Sequence, residues 1–143
     1  MRIETSSAER YRKARADGAL ELTSDYLELI EDLISDLGEA RAVDIGARLG
    51  VCHVTVTKTL QRLARDGYVS YRPYRSIFLT ASGQAIARAA RERHLTILKF
   101  LLEIGMPDGI AEQDAEGMEH HVSPETLSAI KGLMNRLRAA TVG

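Results

Sequence analysis

The sequence predicts a mainly α protein that begins with a winged helix-turn-helix, carries a two-stranded wing and continues as an all-helical domain. Three observations predict it. Two short helical patterns meet at Gly50-Val51-Cys52 and run straight into two β-prone stretches around Arg72-Pro73-Tyr74-Arg75-Ser76, the order of a helix-turn-helix followed by a hairpin. After the second β-prone stretch every apolar pattern has helical spacing. Finally, a net charge of −1 hides strong segregation: residues 24–40 carry six acids and no bases, 41–75 carry seven bases against two acids, and 101–125 carry seven acids and no Lys or Arg. A basic middle between acidic flanks implies an anionic partner and a cationic partner bound by different parts of the molecule.

At 143 residues, 45% of them apolar, the chain has material for one domain, or for two small ones sharing a core. Cys52 is the single cysteine, so no internal disulfide can form, which fits a reducing compartment. The first residues mix acids and bases without the apolar stretch of a signal peptide, and no uncharged apolar run approaches the ~20 residues of a membrane span. The expectation is a soluble, cytoplasmic protein.

Taken in order, residues 1–22 are polar, with five bases and four acids, and Gly18 weakens a possible helix around Arg10 and Arg15. They are expected to form an N-terminal arm that is partly disordered. Thr23 or Ser24 is placed to cap a helix ending at Leu37, with Gly38 as its stop and Tyr26, Leu29, Ile30, Leu33, Ile34 and Leu37 as its buried stripe. A short helix is expected over 39–49 with Val43, Ile45 and Leu49 apolar. A second is expected over 53–65 with Val54, Val56, Leu60 and Leu63 available for burial, ended by Gly67. Strands are expected over 68–71 and 77–80. Thr80 can cap a long helix to about residue 104, Gly105-Met106-Pro107 ends it, and a further helix is expected over 108–121. Ser123-Pro124 supplies a cap and first turn for a last helix to about 139, with Leu127, Ile130, Leu133, Met134 and Leu137 on its apolar side. The expected division is an arm (1–22), a DNA-binding domain (23–80) and a helical domain (81–143).

The second helix of the pair is the expected recognition helix, and His53, Thr55, Thr57, Lys58, Gln61 and Arg62 are its candidate DNA contacts. Early positions suit base edges, whereas Lys58 and Arg62 suit phosphates. Arg72, Tyr74 and Arg75 would serve the wing. The plainer alternative is a small α+β domain with a solvated basic face.

The run Asp114-Ala115-Glu116-Gly117-Met118-Glu119-His120-His121 sets Glu116, Glu119 and His120 at i, i+3 and i+4, one face of a helix, within reach of one ion. His121 would point about 100° away from His120. Like charges at this spacing repel by a few tenths of a kcal/mol per pair, so a neutralising cation is expected. Asp25, Glu28 and His94 are further candidate ligands. Each has a plain alternative. Asp25 and Glu28 suit the first turn of a helix, His94 suits a hydrogen-bonded core position among Ile97, Leu98 and Leu101, and residues 112–121 suit an acidic surface helix. Together the six offer four carboxylates and two imidazoles without a thiolate. That set suits Mn2+ or Fe2+ better than the soft metals, and Mg2+ or Ca2+ rarely recruit two imidazoles. Four carboxylates suffice for one or two ions per subunit.

The winged helix, the long helix carrying Arg93-His94, the Ser24-Asp25-Tyr26-Leu27-Glu28 segment and the Glu-Gly-Met-Glu-His-His run together resemble the diphtheria toxin repressor family, and within it the manganese transport regulators. The resemblance spans about residues 23–134. It implies metal ligands at Asp25, Glu28, His94, Glu116, Glu119 and His120. Iron-type members are expected to have Met and Cys at the positions of Asp25 and Glu116. It further implies a homodimeric, Mn2+-activated transcriptional repressor, not an enzyme, that controls manganese homeostasis through uptake genes. Its helical domain would bind metal and dimerise, and it would bind a palindromic double-stranded operator with half-sites one or two helical turns apart, ~34 Å per turn. Bound ions would tie the first helix to the dimerisation region. Cys52 departs from the pattern, standing where a helix-capping Ser would be natural. Two alternatives keep the fold: an iron- or general divalent-metal-responsive repressor, and a winged-helix regulator sensing a small organic ligand. A dimetal hydrolase lacks support, since no additional nucleophile or Gly-rich phosphate loop is visible.

Overall fold

The computed structural model describes residues 6–142. The chain divides into two compact units, residues 1–89 and 90–143. It is mostly helical, with one two-stranded antiparallel sheet in the first unit.

The first unit opens with α1 (Ser7–Leu37), which starts well before the expected cap at Thr23 or Ser24. Ser6 and Glu9 form a capping box: the Ser6 hydroxyl accepts from the Glu9 N–H and the Glu9 carboxylate accepts from the Ser6 N–H, both at 3.2 Å. Gly18 stands in open space and costs only about 1 kcal/mol relative to Ala, too little to end a helix this long. Thr23 and Ser24 are buried within the helix, and the Thr23 hydroxyl donates to the Ala19 carbonyl at 2.9 Å instead of capping. Residues 6–22 of the expected arm thus lie in or beside α1, and residues 1–5 fall outside the described residues. Gly38, at φ 82°, ends the helix by donating its N–H to the Ile34 carbonyl.

Helix α2 (Ala42–Leu49) begins later than residue 39 because Ala40 is drawn into an isolated bridge, its carbonyl accepting from the Ile77 N–H at 2.8 Å. Helix α3 spans His53–Arg65, as the periodicity predicts. Strands β1 (Val69–Ser70) and β2 (Phe78–Leu79) pair antiparallel with Val69 opposite Leu79. Both are shorter than expected. Tyr26, Leu27, Ile30 and Leu33 of α1 pack with Ile45, Val56, Leu60, Leu63, Ile77 and Ala87 into one core. Leu37, Val43 and Val54, expected on buried stripes, are exposed.

Helix α4 (Ala81–Glu103) is capped as expected, the Thr80 hydroxyl accepting from the Gly83 N–H at 3.1 Å. The division between the units falls within it. In the second unit, Ile97 and Leu101 of α4 pack on Ala111 and Ala115 of α5 (Asp108–Met118), with Val122 and Leu127 against them. The small Ala side chains permit close approach of the two helices. Helix α5 stops at Met118, short of the expected His121, where His121 and Val122 both donate to the Met118 carbonyl. The Ser123 hydroxyl then accepts from the Thr126 N–H at 3.1 Å, capping α6 (Pro124–Val142). Among the described residues, no helix is long and apolar enough to cross a membrane.

Candidate metal centre and nucleic-acid interface

The second unit gathers its metal-ligand candidates around Glu119. This residue sits at the C-cap of α5 with only 6% of its side chain exposed. Its Oε2 lies 2.8 Å from His94 Nδ1 and its Oε1 lies 3.3 Å from His120 Nε2. The other ring nitrogen of His94, Nε2, stands 3.3 Å from Oε2 of Glu112. His94 therefore faces two carboxylates rather than the apolar core that its sequence neighbours suggested. The ring is carried there by α4, and the Ile97–Leu101–Ala111–Ala115 contact holds α4 against α5. Glu116 is exposed on α5. The ring of His120 is reached through the turn after α5 and not along a continuous helical face, because the helix has already ended.

These donors fit a divalent ion. One carboxylate with two oxygens is flanked by two imidazoles, a further carboxylate stands behind one of them, and the unit contains no cysteine. Oxygen and nitrogen donors without sulfur are the set that Mn2+ and Fe2+ accept.

In the first unit, Asp25 and Glu28 are half-buried on α1, three residues apart. They lie about five turns beyond the helix start, so complementing a helix N-terminus does not account for them.

The candidate nucleic-acid surface is built on α3. Val56, Thr59, Leu60 and Leu63 are buried, whereas His53, Thr55, Lys58 and Gln61 are exposed and Thr57 and Arg62 are half-buried. The Thr57 hydroxyl donates back to the His53 carbonyl, which leaves it an acceptor toward solvent. Cys52 is the N-cap residue; its Sγ lies 3.3 Å from the Thr55 hydroxyl, and that hydrogen bond holds the thiol below its usual pKa.

Arg72, Tyr74 and Arg75 are exposed on the wing. Tyr74 is 98% exposed at φ 63°, the left-handed conformation that non-glycine residues adopt uncommonly, here at the tip of the turn between β1 and β2. A groove of about 320 Å³ separates the wing from His53, Thr57 and Gln61 of α3, and Arg41 lines it too.

Arg41 was missed in the sequence. Its guanidinium lies 2.9 Å from Glu39, which also accepts from the Ser76 hydroxyl at 2.8 Å. The hydrogen bonds from Arg41 and then Ser76 hold the Glu39 carboxyl below its usual range, and Glu39 in turn raises Arg41. The available signal was position: Arg41 is the first base after the acidic segment.

Comparison with known proteins gives both halves a counterpart. Residues 20–77 match the N-terminal DNA binding domain of iron dependent repressors, and residues 80–141 match their metal binding and dimerisation domain. The transcriptional regulator MntR of Escherichia coli O157:H7 is 51% identical over 128 residues, covering 90% of this chain and 83% of that protein. The HTH-type transcriptional regulator MntR of Lysinibacillus sphaericus (strain C3-41) is 37% identical over 110 residues, covering 77% and 79%. Among solved structures, a manganese-dependent transcriptional repressor in complex with manganese superposes with a TM-score of 0.68 at 27% identity, covering 79% of this chain and 52% of that one. This chain thus spans about half the length of that solved chain. The arrangement of a winged helix followed by a helical unit built around Glu119, and the extent of these matches, lead to one conclusion: the chain belongs to the iron dependent repressor family.

Proposed function

We infer that this protein is a manganese-activated, DNA-binding transcriptional repressor that acts as a homodimer and controls manganese homeostasis through uptake genes. The observation that carries this reading is the buried Glu119 carboxylate between His94 and His120, in a chain 51% identical to a protein named transcriptional regulator MntR.

The proposed ligand set is Asp25, Glu28, His94, Glu116, Glu119 and His120, taking one or two ions per subunit. A bound divalent cation supplies the positive charge that residues 101–125, with seven acids and no Lys or Arg, lack. Asp25 and Glu28 belong to the half that carries α3, and the other four belong to the helical half. Ligation by both sets couples metal occupancy to the setting of the recognition helix. A coupling of ~1–3 kcal/mol changes DNA affinity ~5–150-fold. The functional division is 23–80 for DNA binding and 81–143 for metal binding and dimerisation. Leu95, Leu102, Ile104, Met106 and Ile110 are exposed apolar side chains of the helical half, and they suit a homodimer interface.

His53, Thr55 and Gln61 present their side chains for base edges, Thr57 presents its hydroxyl, and Lys58 and Arg62 take phosphates. Arg72, Tyr74 and Arg75 extend the contact along the wing. A two-fold dimer reads a palindromic operator. The protein works in the cytoplasm, where its DNA is.

The test is a DNA mobility-shift assay on a palindrome upstream of a manganese-uptake gene, with chelator and then with Mn2+, Fe2+ and Zn2+ titrated separately. Binding is expected to appear at lower Mn2+ than Fe2+ or Zn2+. Binding first with Fe2+ makes the protein an iron sensor of the same fold. Binding indifferent to chelator removes the metal sensor altogether.

A further inference from the structure

The residues that lead into α2 are tied to the base of the wing. Ala40 is fully buried, and its carbonyl accepts from the Ile77 N–H at 2.8 Å. Arg41 follows in extended backbone, where successive side chains alternate, so the neighbours of a buried Ala40 project together on the outer side. There the Arg41 Nε donates to Glu39 Oε1 at 2.9 Å, and Nη2 lies 3.5 Å from Oε2. Oε2 also accepts from the Ser76 hydroxyl at 2.8 Å, so the wing holds the carboxylate as well. Both charged side chains are 47% exposed, and a pair so open to water adds little to stability. What the pair fixes is orientation. With Nε turned toward Glu39, the Nη1 edge of the guanidinium keeps its N–H groups for another acceptor.

Arg41 lines two grooves. The one beside α3, of about 320 Å³, also takes in Ala42 and Val43 of the first turn of α2, the end of a helix that favours an anion. The other, of about 480 Å³, sets Arg41 with Arg72, Arg75 and the hydroxyls of Ser70 and Ser76, and among the described residues no acid lines it. Guanidiniums and hydroxyls without a carboxylate in the lining suit the phosphates of a nucleic-acid backbone.

We propose that Arg41 is a phosphate contact at the base of the wing, and that Glu39, fixed in turn by Ser76, is the residue that positions it. The proposal rests on the DNA-binding reading above. Its sign is opposite to that of simple electrostatics. Glu39 is an acid beside a basic surface, so if its charge alone mattered, removing it would tighten binding to DNA. A positioning residue gives the reverse: a guanidinium released from Glu39 spreads over many rotamers, and binding has to order it again.

The experiment uses the whole protein with Mn2+ and the variants Arg41→Ala, Glu39→Ala, Glu39→Gln and the double variant Arg41→Ala with Glu39→Ala. Fluorescence anisotropy measures binding to the palindrome of the mobility-shift assay and to a scrambled duplex of equal length, across roughly 50–200 mM salt. Circular dichroism melts check that each variant is folded. Arg41→Ala should weaken binding to both duplexes roughly 3–10-fold and lower the slope of log affinity against log salt by about one for each Arg41 engaged. Glu39→Ala should weaken both roughly 2–10-fold, and Glu39→Gln, which keeps an acceptor oxygen, should restore most of that. With Arg41 already removed, Glu39→Ala should cost nothing further. An Arg41→Ala protein with native affinity and slope overturns the phosphate contact, and so does a loss confined to the palindrome, which would make Arg41 a base reader. A Glu39→Ala protein that binds as tightly as the native one or tighter overturns the positioning role, as does an equal loss in the absence of Arg41. Failure of the native protein to bind either duplex at the lowest salt rejects the DNA-binding reading itself, and the roles of Arg41 and Glu39 with it.

Discussion

Replacing Gly83 with Ala should destabilise the protein, although Ala is the better helix former. Gly83 lies in the first turn of α4, and a Cβ built on it would stand 2.1 Å from the Tyr68 carbonyl oxygen and 3.1 Å from the carbonyl carbon. Relieving that overlap takes a shift of about 1 Å, judged against the ~3.3 Å at which carbon and oxygen ordinarily meet. The carbonyl is not free to move. It accepts from the Thr80 N–H at 3.0 Å, and the Tyr68 N–H donates to the Leu63 carbonyl at 2.9 Å. Shifting α4 instead disturbs Thr80, whose hydroxyl donates to the Gly67 carbonyl at 2.6 Å while capping the helix. Overpacking of this kind costs about 1–3 kcal/mol, and losing one hydrogen bond adds about 1. The gain in helix propensity, up to about 1 kcal/mol, offsets part of this. The net loss is about 1–3 kcal/mol, or roughly 3–12 °C in melting temperature for a chain of this length. Gly18→Ala is the control: nothing lies within 4 Å of its added Cβ, so it should stabilise α1 by roughly 0.5–1 kcal/mol. Urea and thermal melts followed by circular dichroism measure both. A Gly83→Ala protein as stable as the native one would refute the reasoning.

Four further outcomes follow from the surfaces described. Lys58→Ala should weaken binding to all DNA sequences alike and lower the slope of log affinity against log salt by about one; a sequence-selective loss would make Lys58 a base reader. Glu119→Gln, which removes the carboxylate between His94 and His120, should abolish the ~5–150-fold stimulation of DNA binding by Mn2+ while leaving metal-free binding at the native level, as read by fluorescence anisotropy. Asp25→Met should weaken or alter the Mn2+ response with folding intact, and an unchanged response in the same assay would remove Asp25 from the ligand set. Glu39 has a lowered carboxyl pKa in the fold, so its contribution to stability is present above the ordinary value of 4.5 and lost as pH falls below it. The stability gap between native protein and Glu39→Gln should therefore close in acid, as chemical melts across that pH range can determine.

The winged helix was legible because its signals are local. Gly50 and Gly67 bound α3 on either side, and the apolar period between them is unambiguous. The misplaced elements are those where a distant partner or an overlooked cap decides. The start of α2 moved because Ala40 pairs with Ile77, a contact 37 residues away in the chain that no local pattern announces. The start of α1 is encoded as the capping box Ser6-Ser7-Ala8-Glu9, but the polar composition around it and Gly18 mask it, whereas the apolar period is plain only after Thr23. Val43 and Val54 fit apolar stripes yet stand exposed beside the candidate DNA surface. Periodicity cannot separate a face that packs on protein from one available to the methyl groups of thymine, since both select apolar side chains.

The site divides along the same line. The neighbourhood of Glu119 and His120 was readable, but the end of α5 at Met118 was not, nor was the environment of His94, because Glu119 and Glu112 reach its ring only through the packing of α4 on α5. That packing also supplies the strongest physical argument for function. Burying a carboxylate carries a desolvation penalty of several kcal/mol, and apolar residues of similar volume commonly stabilise such a position better than an ion pair does. Glu119 is 6% exposed in a segment without Lys or Arg, next to two side chains that are themselves metal ligands by type. The two imidazoles offset part of that penalty, and a cation bound only by the native state would stabilise it further by mass action. The same burial that makes Glu119 costly in the free protein makes its field strong toward an ion, since little solvent screens it. A cation held at this carboxylate would thereby stabilise the α4–α5 contact that orients His94.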